Sequence, residues 1–390
     1  MVRDNRIGLL KSIGKVIDAD VVTYITGDRV PTPARIAQDA IRPMYGHLLE
    51  LRKRRKRSRR GKRLGLIIYS RGGDVSVPWR IISMLRECYQ EIYVLIPYKA
   101  YSAATMIALG ADKIVMGKKA ELGPIDPTLV RVAAGESTAP AQEISVEDVS
   151  SYISFMRERA NINDQSALAT VISQLAQDLK PLTLGRVNRE HSHIRLVGKK
   201  LLSSHCEKMD EERMNLIIEA LTEKMYSHGH AISRREAIEL RLPIVEKVDD
   251  ELENYLWALY EDYEEMLMLN EPIDFELTLS EENTDKKILE NIAIACIESI
   301  LRLDIFSHHI RIIRRRKIPP NPQININVNV GLPPGINVQQ IPQQAQQILQ
   351  QLIQQLMPNI QQQVQRELVR QSPAIGIETN IYGGRWRKVE

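Results

Sequence analysis

Apolar and polar positions in the first third of the chain follow two patterns. Short continuous apolar runs, such as LGLIIY at 64–69 and IYVLIP at 92–97, are typical of strands that are buried on both faces. Between these runs lie segments with apolar residues at helical spacing. The patterns predict strands and helices in turn, with strands at 20–28, 64–69, 92–97 and 113–116 and helices at 32–51, 78–89 and 102–109. Strands that alternate with helices indicate an α/β layered fold.

Helical patterns dominate the middle of the chain. Residues 145–204 have helical periodicity with interruptions, and two further helices are predicted at 216–226 and 233–240. Ser233 precedes Glu236 by three residues, which is the spacing of a capping box at a helix start. We interpret the stretch at about 145–180 as a helical insertion in the α/β fold.

The next segment, 249–317, predicts a small α+β unit. The alternation of IDFELTL at 273–279 indicates a strand, the apolar stretch at 286–303 indicates a helix, and 309–313 indicates a second strand.

After Lys317 the composition becomes rich in Pro, Asn and Gln. Apolar residues recur at roughly helical spacing within the Gln-rich part, at Ile341, Ile348, Leu352, Leu356 and Ile360. This low-complexity segment predicts an interaction tail that is disordered alone or helical in an assembly. The chain is therefore expected to divide into 1–248, 249–317 and 318–390, and the tail is expected to bind a partner.

Positive charge is concentrated in one place. The formal net charge is +4, yet nine of the eleven residues at 53–63 are Lys or Arg, so the rest of the chain is net acidic. A run of this kind can contact nucleic acid, acidic lipid or acidic protein, or it can be a solvated loop without a partner. It contains no aromatic residue for base stacking, which argues against a nucleic-acid partner.

Cysteine usage and hydropathy point to a cytoplasmic protein. The three cysteines, Cys88, Cys206 and Cys296, are too few and too far apart for a disulfide framework or a metal finger. No apolar run has the length of a membrane-spanning helix or the organisation of a secretory signal. A short amphipathic helix at the N-terminus leaves contact with a membrane surface open.

Three segments carry residues suited to chemistry. The first, SRGGD at 70–74, follows a buried strand, and its paired glycines can bring bare N–H groups close to a ligand. The second, AYSAAT at 100–105, places Ser102 at the head of an apolar helix, where negative charge is favoured. The third, ELGPIDP at 121–127, shapes a turn. Each has a plainer interpretation alone, namely a tight turn, an ordinary N-cap serine and a rigid turn.

The order of these segments resembles the Clp-protease/crotonase superfamily, in particular the signal-peptide-peptidase-like branch and the serine dehydrogenase proteinase family. The close resemblance covers 20–127 and resumes more weakly from about 180 to the strand-like LPIVE at 242–246. It implies a spiral of ββα units and a serine peptidase that assembles into homo-oligomers.

The resemblance also implies roles for individual residues. Ser102 matches the nucleophile, and the N–H groups of Gly73 and Ala103 match the oxyanion hole, with Gly72 in the same loop. Where the Clp branch carries a general-base histidine, this chain has Asp126, which argues against a Ser-His-Asp triad. We therefore expect Asp126 to line the substrate site rather than to act as the base.

A Ser–Lys dyad is the arrangement of the signal-peptide-peptidase branch. Lys180, at the head of the helix that follows the insertion, matches its general base, and Lys199 and Lys200 are alternatives. A lysine can act in this way when burial lowers its pKa. A solvated lysine at a helix end is the plainer interpretation of Lys180.

Histidines invite a metal interpretation, which their spacing does not support. His191 and His193 are two residues apart, as are His228 and His230, and two such residues point to different faces of a helix. We expect neither a metal nor another cofactor.

The resulting hypothesis is a serine endopeptidase that hydrolyses protein or peptide substrates through an acyl-enzyme on Ser102. Two alternatives stay open. One is acyl-CoA chemistry, which is disfavoured because no pair of glutamates flanks the expected cleft and that branch has no serine at this helix head. The other is an inactive Clp-like scaffold that binds peptides or membrane proteins.

Overall fold

A computed structural model describes residues 3–55, 62–125, 128–131, 142–178, 181–223, 230–317 and 342–389. The chain forms two compact units. The first comprises Met1–Pro272, Ala293–Ser307 and Gly384–Glu390, and the second comprises Ile273–Ile292 and His308–Gly383. The predicted boundaries at 248 and 317 separate segments that are expected to fold independently, and they stay predictions.

Helices and strands alternate through the first unit. The helices of the described residues are α1 Arg3–Val16, α2 Ile41–Arg55, α3 Val77–Arg86, α4 Ala103–Leu109, α5 Val146–Ser154, α6 Gln165–Asp178, α7 Pro181–Leu202, α8 Glu211–Glu223, α9 Arg234–Glu239, α10 Asp250–Met266, α11 Phe275–Glu281 and α12 Gln343–Gln371. The strands are β1 Asp20–Thr26, β2 Arg63–Tyr69, β3 Glu91–Ile96, β4 Lys99–Ala100, β5 Lys113–Met116, β6 Glu121–Leu122, β7 Thr128–Arg131, β8 Gln142–Ser145, β9 Ile232–Ser233, β10 Lys286–Ser299, β11 Arg302–Arg316 and β12 Ala374–Val389.

A seven-stranded sheet, in the order β12-β11-β10-β1-β2-β3-β5, forms the centre of the fold. β1, β2, β3 and β5 are parallel, and β10 joins β1 in antiparallel orientation. These four parallel strands coincide with the four strands predicted from apolar runs. The α/β class is therefore confirmed, and α5 and α6 lie within the predicted helical insertion.

Alternate residues of the strands face two different apolar layers. Val22 and Tyr24 of β1 contact a layer that includes buried residues of α2, α3 and α4. Val21 and Ile25 contact the opposite layer, which includes buried residues of α1 and α10. Burial on both faces explains why the strands are continuous apolar runs. It also fixes the carboxyl ends of β2 and β3, from which the candidate site is built.

Two predictions in the segment 249–317 are wrong. Residues 273–279, predicted as a strand, lie mostly in helix α11, because the Asp274 side chain accepts a hydrogen bond from the Leu277 N–H and caps the helix start. Residues 286–303, predicted as a helix, contain strand β10. Its second half pairs with β1, so that Cys296 lies opposite Ile25. Burial on both sides removes the period that would have distinguished a strand from a helix.

The final segment is more ordered than its composition predicts. Helix α12 spans Gln343–Gln371, in agreement with the predicted helical spacing, although Ile341 lies outside the described residues. Residues Ala374–Val389 form β12 at the edge of the large sheet, which the sequence did not predict. Trp386 of β12 packs edge-to-face on Phe306 and donates a hydrogen bond to Asp39. Within the described residues, no helix combines the length and apolarity that a bilayer crossing requires.

Candidate active site

The loop that follows β2 approaches the chain at Ser102 closely. Gly72 has a φ of +106°, a conformation that residues with a side chain rarely adopt. A Cβ atom at Gly72 would lie 2.8 Å from the Cβ of Ser102 and 2.9 Å from the carbonyl oxygen of Tyr101. Gly72 is therefore required both by its backbone conformation and by the short distance to the Ser102 segment. A simple tight turn would require only the backbone conformation.

Gly73 is held against the backbone of Ile36. The Ile36 N–H donates to the carbonyl oxygen of Gly72 at 2.8 Å, and the Asp74 N–H donates to the carbonyl oxygen of Ile36 at 2.9 Å. A Cβ at Gly73 would lie only 2.2 Å from that Ile36 oxygen. In this bridge the N–H of Gly73 points away from Ile36, and no acceptor for it is found among the described residues.

Ser102 occupies a sharp turn between β4 and α4. Its φ of 53° and ψ of −113° are strained for a residue with a side chain, and such strain is common where a nucleophile is presented at a strand-to-helix turn. The residue is 9% exposed. Its hydroxyl makes no capping hydrogen bond to α4. Ser102 thus occupies the N-cap position of α4 without the side-chain hydrogen bond that an ordinary N-cap serine supplies.

Ala103 begins α4 immediately after Ser102. As the first helical residue, it has an N–H that the helix itself cannot satisfy, and the described residues supply no acceptor. The backbone nitrogen would lie 3.3 Å from a Cβ built on Gly72, so this N–H is adjacent to the glycine loop. Two unused N–H donors, from Gly73 and Ala103, thus lie on segments that touch each other beside Ser102.

The other side of Ser102 is fixed by a small sheet in the order β4-β6-β9. The buried hydroxyl of Thr105 donates to the carbonyl oxygens of Ala100, at 2.8 Å, and Gly123, at 2.7 Å. Tyr101 donates a hydrogen bond to Glu121, and burial together with this contact holds the pKa of Tyr101 above its usual range. Gly123 belongs to the predicted turn, but Asp126 lies outside the described residues, so its predicted role stays a prediction.

The structure describes only part of the predicted lysine set. Lys180 lies outside the described residues. Lys199 pairs with Glu211 at 3.4 Å, and its side chain is 40% exposed. Lys200 places its ammonium 5.8 Å from the ring centre of Trp79. Neither of these two lysines contacts Ser102 among the contacts of the described residues. The identity of the base is therefore a proposal.

Two histidines in the described part of the chain contact groups away from Ser102. The Nε2 of His205 lies 2.7 Å from the carbonyl oxygen of Leu109, and burial lowers the pKa of this histidine. His230 contacts Glu236 at 2.7 Å. His228 is outside the described residues. The described residues contain no group of side chains suited to a metal ion.

Sequence reasoning did not single out Thr26 and Ser70. The Thr26 hydroxyl donates to Ser70 Oγ at 2.6 Å, and Ser70 Oγ also accepts the Gly72 N–H at 2.9 Å. Ser70 stands within the SRGGD segment, which was a signal in the sequence. Thr26 is 44 residues away, and only the parallel pairing of β1 with β2 brings its hydroxyl to the loop.

A crevice of about 1000 Å³ lies at the opposite ends of the parallel strands. Its lining includes Arg63, Glu91 and Lys113, which are the first residues of β2, β3 and β5. Ser102 and the glycine loop follow the other ends of these strands. Crevice size therefore does not identify the candidate site, and the strained serine with its adjacent N–H donors does.

The parallel sheet, the glycine loop and the serine at a strand-to-helix turn define an α/β protein with a candidate nucleophile beyond the carboxyl ends of its strands. The family model described as ClpP-like SDH-type serine proteinase matches residues 49–158. This match confirms the resemblance drawn from the sequence, at the level of that superfamily and the SDH-type family. The matched segment contains the glycine loop and Ser102, and it ends before Lys180.

Two curated relatives are uncharacterized proteins of Methanocaldococcus jannaschii. The first is 28% identical over 214 residues, which cover 55% of this chain and 63% of the relative. The second is 39% identical over 66 residues, which cover 17% of this chain and 23% of the relative. The chain thus spans less than two thirds of the length of either relative. The activity, substrates and partners of the whole protein are therefore proposals.

Solved structures give matches with low scores. A membrane-bound stomatin-specific protease has a TM-score of 0.34 at 12% identity, covering 55% of this chain and 77% of that chain. ClpP1 from Listeria monocytogenes has a TM-score of 0.31 at 15% identity, covering 61% and 97%. A peptidase from Plasmodium falciparum has a TM-score of 0.28 at 13% identity, covering 61% and 98%. At scores this low the superpositions support no argument.

Proposed function

We propose that this chain is a serine peptidase with Ser102 as its nucleophile. The observation that carries the proposal is that several features of a nucleophile site occur together at one point of the fold. A nearly buried serine has a strained backbone and makes no side-chain capping bond, and it lies beside two backbone N–H groups that find no acceptor among the described residues. The family match over 49–158 supports the same reaction class.

In the proposed reaction, Ser102 Oγ attacks the carbonyl carbon of a peptide bond and loses its proton to a general base. The N–H groups of Gly73 and Ala103 donate to the oxygen of the tetrahedral intermediate, where negative charge develops. The base returns the proton to the leaving amine, which leaves an acyl-enzyme on Ser102. Water then attacks the ester and regenerates the serine, so that no cofactor is required.

Lysine is the proposed base, and Lys180 is the first candidate by resemblance. Lys199 is a weaker candidate because its side chain is 40% exposed and is directed to Glu211, at 3.4 Å. Within the described part of the chain Lys200 forms no ion pair, and its ammonium lies 5.8 Å from the centre of the Trp79 ring. The order of preference is therefore Lys180, then Lys200, then Lys199.

An inactive scaffold is the second candidate function. One observation favours it: among the described residues, no side chain that could act as a base is found hydrogen-bonded to Ser102. Such a protein would hold peptides or membrane proteins in the same cleft without cleaving them. Protein or peptide ligands, homo-oligomeric assembly, a cytoplasmic setting with a membrane surface nearby and a partner for the Gln-rich segment all belong to the proposal.

A fluorophosphonate probe separates the two candidates because it reacts only with an activated serine. We expect the wild-type chain to be labelled at Ser102 and Ser102→Ala to lose both labelling and peptide cleavage. The melting temperature should change by no more than a few degrees, because alanine fits the same packing. Ser203→Ala, a change at an exposed serine, is the matched control and should label normally. A wild-type chain that is folded but never labelled would favour the scaffold.

Single alanine substitutions of Lys180, Lys199 and Lys200 identify the base. Loss of a general base typically costs about 10²-fold or more in rate. We expect that loss for Lys180→Ala, with near-normal rates for the other two variants. A near-normal rate for Lys180→Ala with a large loss for Lys200→Ala would reassign the base.

A further inference from the structure

Two buried hydroxyl groups meet behind the glycine loop. Thr26 is the last residue of β1, and Ser70 follows the last residue of β2; their exposed fractions are 1% and 0%. Because Ile25 pairs with Tyr69 in the parallel ladder, Thr26 and Ser70 occupy the next position along the two strands. The Thr26 hydroxyl donates to Ser70 Oγ at 2.6 Å.

Ser70 Oγ also determines which glycine N–H remains available. It accepts the N–H of Gly72 at 2.9 Å, and its own proton faces the carbonyl oxygen of Gly72 at 3.4 Å. The Gly72 donor is thereby used inside the protein. The Gly73 N–H has no acceptor among the described residues, so it is the donor of the pair that a ligand can use.

The backbone of Ser70 connects this loop to the nucleophile segment. Its N–H donates to the carbonyl oxygen of Lys99 at 3.0 Å, and its carbonyl oxygen accepts the N–H of Tyr101 at 3.0 Å. Tyr101 directly precedes Ser102. One residue therefore contacts the donor side of the candidate site through its hydroxyl and the nucleophile side through its main chain.

We propose that Thr26 and Ser70 are positioning residues. They orient the Gly73 N–H toward the oxyanion of the tetrahedral intermediate that forms when Ser102 attacks the substrate. The inference rests on the proposed function, since an oriented donor matters only if an oxyanion forms. A turn that only satisfied its own buried polar groups would need Ser70 but would not need a threonine hydroxyl from another strand. The bond from Thr26 restrains the Ser70 hydroxyl, which holds the Gly72 N–H at 2.9 Å and lies 3.4 Å from the Gly72 carbonyl oxygen. That oxygen, which also accepts the Ile36 N–H at 2.8 Å, belongs to the same peptide group as the Gly73 N–H.

The test uses Thr26→Val in the full chain, because valine keeps the shape of threonine and replaces its hydroxyl by a methyl group that cannot donate a hydrogen bond. We expect kcat and the rate of fluorophosphonate labelling to fall about tenfold, since displacing an oxyanion donor costs transition-state stabilisation. KM should stay unchanged because the oxyanion is absent from the bound substrate. Thr26→Ser should restore the rate, and Ser70→Ala should lose roughly 10²-fold.

Thr23→Val is the matched control on the same strand. Thr23 is also fully buried, but its hydroxyl contacts Tyr263 on the opposite face of β1, away from the glycine loop. We expect this variant to lower the melting temperature without changing kcat. The comparison separates loss of a buried hydroxyl in general from loss of the contact with Ser70.

The outcomes distinguish the two proposals. If the wild-type chain shows no labelling that depends on Ser102, the proposed function fails and the positioning roles fail with it. If the wild type is labelled but Thr26→Val retains the wild-type kcat, the positioning role alone is overturned. Equal losses of kcat in Thr26→Val and Thr23→Val would also overturn it, because the effect would then be general. A selective loss in Thr26→Val, restored by Thr26→Ser, supports it.

Discussion

Substitution of Gly72 by alanine tests whether the loop and Ser102 must approach as closely as the structure indicates. The added Cβ would lie 2.8 Å from the Ser102 Cβ and 2.9 Å from the Tyr101 oxygen, well inside normal contact distance. Positive φ costs a non-glycine residue about 1–2 kcal/mol, and forced overpacking costs roughly 1–3 kcal/mol. We therefore expect Gly72→Ala to lower the free energy of unfolding by about 2–5 kcal/mol.

The measurement combines denaturant unfolding with probe labelling at a temperature where both proteins are folded. Labelling should fall by roughly 10² or more, because relief of the contact displaces either Ser102 or the adjacent donors. Gly8→Ala is the control, since a Cβ at Gly8 meets no atom within 4 Å and alanine favours the helix α1. A Gly72→Ala protein with unchanged stability and labelling would refute the close approach on which the site is built.

Two further predictions concern stability and assembly. Burial alone would raise the pKa of Asp304, but hydrogen bonds with His47 and Arg302 outweigh burial and lower it to about 2. A carboxylate with a lowered pKa stabilises the fold above about pH 4, and this stabilisation is lost as the pH falls toward 2. In Asp304→Asn the free energy of unfolding should therefore depend less on pH between about 4 and 2, as measured by circular dichroism. Replacing α12 by a glycine-serine linker should leave labelling intact and change the oligomer size in light scattering, because Ile348, Leu352 and Leu356 are exposed; an unchanged size would contradict this.

Much of the fold around Ser102 could be predicted because local and tertiary preferences agree there. The apolar runs at 64–69 and 92–97 form strands that are buried on both faces, as their composition indicates. Ser233 caps α9 through a bond from the Glu236 N–H, as the spacing predicted. Where each short segment favours the state that packing also requires, a single sequence is sufficient.

Prediction failed where tertiary pairing decided the local state. The stretch containing β10 has no clear period because its second half is covered on both sides, and only its pairing with β1 makes it a strand. The last strand, β12, contains the glycine pair at 383–384 and is exposed over most of its length, so its position beside β11 could not be predicted from its own sequence. The helix α11 depends on the Asp274 cap, which competes with an alternating pattern.

Predictions about the site divide in the same way. Ser102, Gly72 and Gly73 were predicted because their segments follow predicted strands in a recognisable order, and the structure brings those segments into contact. The family match spans these three residues but not Lys180, and the roles of all four residues stay predictions. Thr26 carries no local signal, since a threonine at the end of a strand is ordinary and its partner lies 44 residues away.

Backbone groups supply the proposed oxyanion donors, and this affects where function can be lost. Only substitution by proline removes the N–H of Gly73 or Ala103. Other mutations can affect these donors only by changing the residues that fix their position. Ser70 and Thr26 hold the loop by hydrogen bonds, and Gly72 permits its approach. The side chains of α4 are all buried, so substitutions there would destabilise the fold as well as affect the site. Loss of activity without loss of fold should therefore concentrate at Thr26, Ser70 and Ser102, together with the residue that acts as the base.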